Sequence, residues 1–179
     1  MLFVLIPHAM DFAAEIIDQR QYVRPLEQYG SVGYEYWSDD FEPWIPEPVR
    51  RSLGNDVFYD VTFVQLWGDQ VTDHSIELLA TIPTVRSVYI SGIAHKRMAI
   101  THPTKITDAG LEHFSKMKNL TWLVLTDAEI TDQGLRTFLN MPQLQYLRFQ
   151  RTKITETGLA ELRCGLPNCD IRDMNLPPP

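Results

Sequence analysis

Apolar residues in the second half of the chain follow two alternating spacings. In one part of each unit they stand three residues apart, as at Leu111, Phe114 and Met117, which places them on one side of a helix. In the other part, as in LTWLVL at 120–125, the last two apolar residues alternate with an outward-facing one, which is typical of a short strand. Each unit is therefore predicted to contain a strand, a turn and a helix.

A six-residue motif marks the start of each helix. ITDAGL, ITDQGL and ITETGL begin at Ile106, Ile130 and Ile154, so both intervals are 24 residues. Threonine and aspartate at the second and third positions are good helix N-cap types. Glycine in the first helical turn weakens a helix, so we expect the neighbouring unit to approach closely there.

The pattern extends to both sides of these motifs. Further strands are predicted at 61–66, 85–90 and 144–149, and Val71 begins a degenerate copy of the motif. The step from Val71 to Ile106 is 35 residues, so that unit carries an insertion of 11 residues, placed at 92–105. The last unit, with CGLPNCDI, is expected to be one residue out of register, since a terminal repeat must close the core.

Three regions follow from this pattern. Residues 1–60 are expected to form a cap with a helix at 11–29, a strand in SVGYEYW that covers the first sheet edge, and a short helix at 46–53. An independent small domain is the alternative. Residues 61–172 hold the repeats with about five strands, and 173–179 are expected to be a flexible Pro-rich tail.

The repeated ITDxGL motifs and the strands in phase with them resemble the leucine-rich repeat family. More narrowly, 61–172 resemble bacterial ITDxGL-type repeats, which are related to the cysteine-containing subfamily. The resemblance implies an α/β fold: a short right-handed solenoid with a parallel concave sheet and convex helices. The family's asparagine ladder is missing, because the turn positions are Asp127-Ala128 and Arg151-Thr152. Threonine and aspartate side chains, or the backbone, must then satisfy the turns.

Composition and charge fit a folded protein with no general affinity for nucleic acid. The 179 residues are 44% hydrophobic and 22% charged. The net charge is −7, whereas non-specific nucleic-acid binding needs a basic surface. All of the excess negative charge lies in residues 1–60, with 11 acids and 4 bases. The two cysteines, Cys164 and Cys169, are expected to be core residues of the last repeat.

The first ten residues, MLFVLIPHAM, are too short an apolar run to span a bilayer and lack the features of a signal peptide. We therefore expect a cytoplasmic protein without a membrane span in this chain. Residues 10–60 resemble the leader that precedes such repeats in bacterial proteins. The resemblance implies that a membrane anchor can come before it, which leaves a lost anchor as the alternative.

The sequence contains no catalytic motif: neither G-x-S-x-G, H-E-x-x-H, a P-loop nor G-x-G-x-x-G is present. The five histidines show no ligand spacing on one element. We therefore expect a protein that is not an enzyme and that uses no cofactor and no metal.

The main candidate site is the sheet surface that faces away from the helices, here called the outer face. It is built from the third, fifth and seventh positions of each strand, which alternate with the inward residues. Five aromatic residues and an arginine meet there, and such residues dominate interface hot spots. The predicted contact residues are Phe63, Gln65, Trp67, Tyr89, Trp122, Val124, Tyr146 and Arg148.

The insertion is a secondary candidate because it is basic beside an acidic cap. Its predicted binding residues are His95, Lys96, Arg97, His102 and Lys105. A solvated loop without function is the alternative.

The leading hypothesis is a monomeric recognition module that binds a protein or peptide through the outer face, with the basic segment steering its approach. Glycan or small-ligand binding by the same aromatics is the alternative. Coverage of the face by the cap, or self-association through it, would remove the site.

Overall fold

One six-stranded sheet organises the described part of the chain. A computed structural model describes residues 23–34, 61–92 and 103–175. The strands lie in chain order in the sheet. They are β1 (Gly30–Tyr34), β2 (Val61–Trp67), β3 (Ser87–Ser91), β4 (Trp122–Thr126), β5 (Tyr146–Gln150) and β6 (Asp170–Asp173). Strands β2 to β6 pair in parallel, and β1 pairs antiparallel with β2. The predicted strands are therefore confirmed, as is the mixed α/β class.

Each ITDxGL motif, and its degenerate first copy, starts a helix. The helices are α1 (Asp73–Leu79), α2 (Asp108–Phe114), α3 (Asp132–Leu135) and α4 (Glu156–Gly165), and α3 continues as a 3₁₀ helix over Arg136–Asn140. Their N-caps are the motif threonines Thr72, Thr107, Thr131 and Thr155, all with extended backbone. At the last three, the threonine hydroxyl accepts a hydrogen bond from the first helical turn, as N-capping requires.

The helices cover one side of the sheet. Inward residues of the strands and apolar residues of the helices form a single buried cluster. Strand members of the cluster include Val64, Leu66, Val88, Ile90, Leu123, Leu125, Leu147 and Phe149, and helix members include Ile76, Leu79, Leu111, Phe114, Leu135, Phe138, Leu159 and Leu162. Since side chains alternate along a strand, the third, fifth and seventh positions point to the opposite side.

The last strand corrects one expectation from the sequence. Ile171 pairs with Leu147 of β5, which is 24 residues earlier, so β6 keeps the register of the repeat. The prediction that this unit is one residue out of register was wrong. Asp173 ends β6 and is buried, so the ordered sheet continues one residue into the predicted tail.

Part of the predicted cap joins the same core. Residues 23–27 are helical, and Val23 and Leu26 belong to the buried cluster of the repeats. Strand β1 covers the free edge of β2, as predicted for the SVGYEYW segment. The remainder of that segment, the predicted helix at 46–53 and most of the helix at 11–29 lie outside the described residues. The boundary at residue 60 stays a prediction.

The cysteines do not share one environment. Cys169 is half-buried and packs against the core, whereas Cys164 on α4 is exposed. The expectation that both are core residues was therefore wrong for Cys164. Burial raises the pKa of Cys169 to about 11, and the negative charge of Asp170 contributes to this increase.

A repeated side-chain lock joins each helix start to the next. The carboxylate of Asp108 accepts hydrogen bonds from the backbone nitrogen of Thr131 at 2.8 Å and from its hydroxyl at 2.6 Å. The same two bonds recur at Asp73–Thr107 and Asp132–Thr155. Aspartate and threonine of the motif therefore act between units, in addition to capping their own helix.

The motif glycine makes room for this lock. A Cβ placed on Gly134 would collide with the Asp108 carboxylate, and Gly110 and Gly158 stand in the same relation to Asp73 and Asp132. The expected close approach of the neighbouring unit is confirmed, and the approaching group is a carboxylate.

The first and last of the described units depart from the motif at one position each. Ser75 occupies the glycine position of the first unit, and its hydroxyl accepts the hydrogen bond from Thr72 N at 3.2 Å. Glu156 occupies the aspartate position of the last unit and pairs with Arg163 of its own helix at 2.6 Å. Each end thus satisfies its polar groups within its own unit.

The turns after the strands use left-handed residues in place of an asparagine ladder. Gly68, Asp127 and Arg151 have φ of 97°, 56° and 51°. Asp127 and Arg151 form a two-bond ion pair, with Nε–Oδ1 at 2.5 Å and Nη2–Oδ2 at 2.6 Å. The Asp127 carbonyl also accepts bonds from the Thr104 backbone at 2.8 Å and hydroxyl at 3.0 Å. The prediction that threonine and aspartate side chains, or the backbone, satisfy the turns is confirmed at Asp127, whereas the buried hydroxyl of Thr152 in the next turn has no hydrogen-bond partner among the described residues.

Candidate binding face

Strand register places the predicted contact residues in lateral rows on the outer face. Phe63, Ser87, Trp122 and Tyr146 stand side by side in the first row. The second row contains Gln65, Tyr89, Val124 and Arg148. At the third position Trp67 pairs with Ser91 and Thr126 pairs with Gln150. Neighbouring strands are about 4.8 Å apart, so side chains within a row can touch.

Two aromatic rings at the centre of this surface stack on one another. Trp122 and Tyr146 have ring centroids 5.0 Å apart and planes inclined by 10°. The guanidinium carbon of Arg148 lies 3.8 Å from the centroid of the Tyr146 ring. Both aromatic residues remain partly exposed. The indole and phenol rings are thus held in place before any partner arrives.

The last strand fixes the arginine of this stack. Arg148 donates from Nη1 to the Asp170 carbonyl at 2.8 Å and from Nη2 to the Asp170 carboxylate at 2.5 Å. Since β5 lies between β4 and β6, this holds the guanidinium on the β6 side of Tyr146, opposite Trp122. The hydrogen bond from Arg148, and then that from Arg172, keeps the pKa of Asp170 below its ordinary value.

Burial divides the eight predicted contact residues into two groups. Val124 and Arg148 are only 5% and 8% exposed, so they offer little area to a partner. The other six are partly exposed: Phe63, Gln65, Trp67, Tyr89, Trp122 and Tyr146. Arg148, predicted to contact the partner, has its hydrogen bonds within the chain and packs against the Tyr146 ring.

Sequence reasoning missed two residues of this surface. Asp170 and Arg172 extend the first and second rows onto β6, opposite Tyr146 and Arg148. The signal was present, because each lies 24 residues after its partner. The mistaken register of the last unit concealed it.

A second polar cluster lies where β4 and β5 end. The Asp127 side chain is 6% exposed and that of Arg151 is 40% exposed. The hydrogen-bonded ion pair with Arg151 is the main cause that holds the pKa of Asp127 below its ordinary value. Burial acts to raise this pKa, and hydrogen bonds from Thr126 and the Gly92 backbone act to lower it further. Asp127 therefore contacts the chain near both ends of the insertion, at Gly92 and Thr104.

The basic segment is described only at its end. Lys105 is exposed, and its backbone nitrogen donates to the Val71 carbonyl at 2.8 Å. His95, Lys96, Arg97 and His102 lie outside the described residues, so their role stays a prediction.

Within 23–34, 61–92 and 103–175, no three His, Cys, Asp or Glu side chains are grouped so that they could hold a metal ion. In the same parts of the chain, no helix is both long and apolar enough to cross a membrane. The expectations that the protein is not an enzyme and uses no cofactor stay predictions.

The described residues define a mixed α/β repeat protein with a six-stranded sheet and helices on one side. No family model matches the chain, and no curated protein does. Leiomodin-1 actin-binding site 2 is a structural neighbour with a TM-score of 0.47 and 19% identity, over 63% of this chain and 69% of that chain. A Bacteroides fragilis protein has a TM-score of 0.40 and 13% identity, over 63% of this chain and 40% of that one. Both likenesses are distant, and neither supports an argument about what this chain binds.

Proposed function

We propose that this chain is a leucine-rich-repeat recognition module, not an enzyme, and that it binds a protein or peptide on the outer face. The observation that carries the proposal is the Trp122–Tyr146 pair, which is stacked and partly exposed and has Arg148 against the Tyr146 ring. Interface hot spots are enriched in tryptophan and tyrosine. Because the two rings are already fixed in place, binding costs less conformational entropy at these side chains.

The contacts on both faces of the Tyr146 ring strengthen the proposal. Arg148 covers one side of the phenol ring, Trp122 covers the other, and Asp170 holds the arginine. Arg148 and Asp170 are thus positioning residues, whereas Trp122 and Tyr146 present the contact surface. The basic segment, His95 to Lys105, would steer an acidic partner toward this face.

Glycan binding has less support than protein binding. A sugar stacks on a free aromatic face, and both faces of the Tyr146 ring are covered by protein groups. The outer side of Trp122, toward β3, is the surface that a sugar could still use.

The test is a capture experiment from a lysate of the source cells with three full-length baits. One is the wild-type chain, one carries Trp122→Ala with Tyr146→Ala, and the control carries Gln133→Ala with Glu161→Ala on the exposed side of the helices. Circular dichroism confirms that each is folded. We expect a protein captured by the wild type and the control to be lost with the aromatic double variant.

The affinity of the identified partner then gives the size of the effect. Removing a hot-spot side chain costs about 2 kcal/mol or more, so Trp122→Ala alone should weaken binding about 30-fold. Equal affinity of the wild type and Trp122→Ala would place the site elsewhere. Failure of every bait to capture a protein would contradict a protein partner.

A further inference from the structure

The first row of the outer face contains a gap between two aromatic residues. Ser87 on β3 stands between Phe63 on β2 and Trp122 on β4, each in direct register with it. All three residues are partly exposed. With strands about 4.8 Å apart, Phe63 and Trp122 rise from backbones about 10 Å apart, and a serine fills little of that space. We call this feature the Ser87 slot: Phe63 and Trp122 are its walls and Ser87 is its floor.

The ring faces available in the slot can be deduced from the strand order. The Trp122 ring stacks on Tyr146 with its β5 side, so its β3 side looks into the slot. Aromatic rings pair with centroids about 4.5–7 Å apart. A third ring midway between walls about 10 Å apart would lie about 5 Å from each. That spacing matches the 5.0 Å at which Trp122 and Tyr146 already stack.

The residue before Ser87 in the chain carries a positive charge. Arg86 directly precedes Ser87 and is exposed, and its carbonyl accepts hydrogen bonds from the backbone nitrogens of Thr121 and Trp122 at 2.9 and 3.1 Å. Among the residues that the structure describes, no acidic side chain pairs with its guanidinium. The complementary group on a partner is therefore a carboxylate.

We propose that the Ser87 slot receives one aromatic side chain of the partner, on a peptide segment that carries a carboxylate next to that side chain. The ring enters between Phe63 and Trp122, and the carboxylate pairs with Arg86. This inference rests on the proposed function, because it states what a protein partner presents to the outer face.

The test uses the isotopically labelled full chain and short peptide probes, followed by amide and indole NMR shifts. The main probe is N-acetyl-Phe-Asp-amide. Matched probes replace phenylalanine with leucine or aspartate with lysine. The Ser87→Phe variant fills the slot, and Ser87→Ala leaves it open as the matched control. Urea unfolding confirms that both variants are folded.

We expect the Phe-Asp probe to shift the Trp122 indole and the residue 87 amide, with saturation, in the wild type and in Ser87→Ala. The Ser87→Phe variant should lose these shifts. The leucine and lysine probes, and the Arg86→Gln variant with the main probe, should each bind at least about threefold more weakly, as expected for a lost contact of about 0.7 kcal/mol.

Three results would overturn the inference: no saturable shift with the main probe, equal shifts with the leucine probe, or shifts that persist in Ser87→Phe. A response to an N-acetylglucosamine trimer without one to the peptide would assign the slot to glycans. Partner capture that needs Trp122 and Tyr146 but is unchanged in Ser87→Phe would refute the slot and leave the proposed function standing. Saturable peptide shifts at the slot, with capture insensitive to Trp122 and Tyr146, would show that the slot takes an aromatic ring but that the partner does not use it, and would contradict both proposals.

Discussion

Three residue types of the ITDxGL motif perform one task together. Asp108 accepts two hydrogen bonds from Thr131, and Gly134 leaves the space in which the carboxylate lies. Hydrogen bonds to a charged group are stronger than neutral ones. The bond from the Thr131 backbone nitrogen to Asp108 also gives that nitrogen a partner, and an unpaired buried nitrogen would be costly. The motif therefore encodes the joint between units as well as the start of a helix.

Removing the carboxylate should weaken the protein more than an equivalent change in the last unit. We expect Asp108→Ala to lower the free energy of unfolding by about 1.5–3 kcal/mol, because two hydrogen bonds to a charged group are lost. Glu156→Ala is the matched control, since Glu156 holds the same motif position but forms an exposed pair worth about 0–1 kcal/mol. Urea unfolding at pH 7 measures both. Equal losses would show that the lock between units contributes nothing.

The glycine should resist a change that helix propensity favours. Alanine is a better helix former by about 1 kcal/mol, yet a methyl group on Gly134 meets the Asp108 carboxylate. We expect Gly134→Ala to destabilise the protein by about 1–3 kcal/mol. In the Asp108→Ala background the same change should cost less, because the carboxylate is gone. A double-mutant cycle measures this coupling, and additive losses would contradict it.

The sequence predicted the glycine's environment but not its partner. Three copies of the motif at a fixed interval are sufficient to predict close approach at Gly110, Gly134 and Gly158. Which group approaches depends on where the preceding aspartate turns its side chain. That direction depends on the distance between helices of neighbouring units, and the sequence of one unit does not give this distance.

At the scale of the elements, a partly buried ion pair joins the turns after β4 and β5. Asp127 and Arg151 both adopt left-handed backbone, which costs a non-glycine residue about 1 kcal/mol or more. Glycine at Gly68 occupies the equivalent place without that cost. The two-bond ion pair offsets the strain and holds the turns after β4 and β5 against each other.

This pair makes stability depend on pH in a defined direction. The folded pKa of Asp127 is below that of the unfolded chain, near 3.9. Its stabilising effect is therefore complete above about pH 4 and is lost as the pH falls through the folded pKa. We expect Asp127→Asn to cost about 1–3 kcal/mol at pH 7, and the difference from the wild type to shrink toward pH 2.

Urea unfolding between pH 7 and pH 2 measures this difference. Glu129→Gln is the control, because Glu129 pairs with Lys153 across the same two turns at 3.5 Å with both side chains more than half exposed. That variant should stay within about 1 kcal/mol of the wild type at every pH. A constant gap between Asp127→Asn and the wild type would show that the carboxylate does not titrate with folding.

Among the strands, the sequence predicted which residues form the rows of the outer face but not how far each side chain is buried. Alternation gave the direction of Tyr146 and Arg148 correctly, and the register confirms that they neighbour Trp122 and Val124. Alternation does not predict how deeply a side chain is buried within a face, so Arg148 was predicted to contact a partner. Its burial depends on Asp170, which was hidden by the weak apolar pattern of the last unit.

At the scale of the whole molecule, the two cysteines report on whether the last unit unfolds with the rest. The pKa of Cys169 is about 11 and its side chain is half-buried, whereas Cys164 is exposed. At pH 8 we expect iodoacetamide to label Cys169 at least about 100-fold more slowly than Cys164, because the thiolate is the reactive form. The single-cysteine variants Cys164→Ser and Cys169→Ser separate the two rates.

The same labelling in urea tests cooperativity. Since β6 and α4 share one core with the other units, Cys169 should become reactive at the urea midpoint seen by circular dichroism. Labelling well below that midpoint would show that the last unit opens on its own.

The terminal units also decide where such a chain can lengthen. A duplicated segment of 24 residues inserted between β4 and β5 would find an aspartate on one side and a threonine and glycine on the other. A copy joined after the last unit would meet Glu156, which is already paired with Arg163. A copy joined before the first would bring an aspartate against Ser75 where a glycine is needed. Gene duplication can therefore add units inside the repeat array. The first and last described units lack the motif residue that an added neighbouring unit would need.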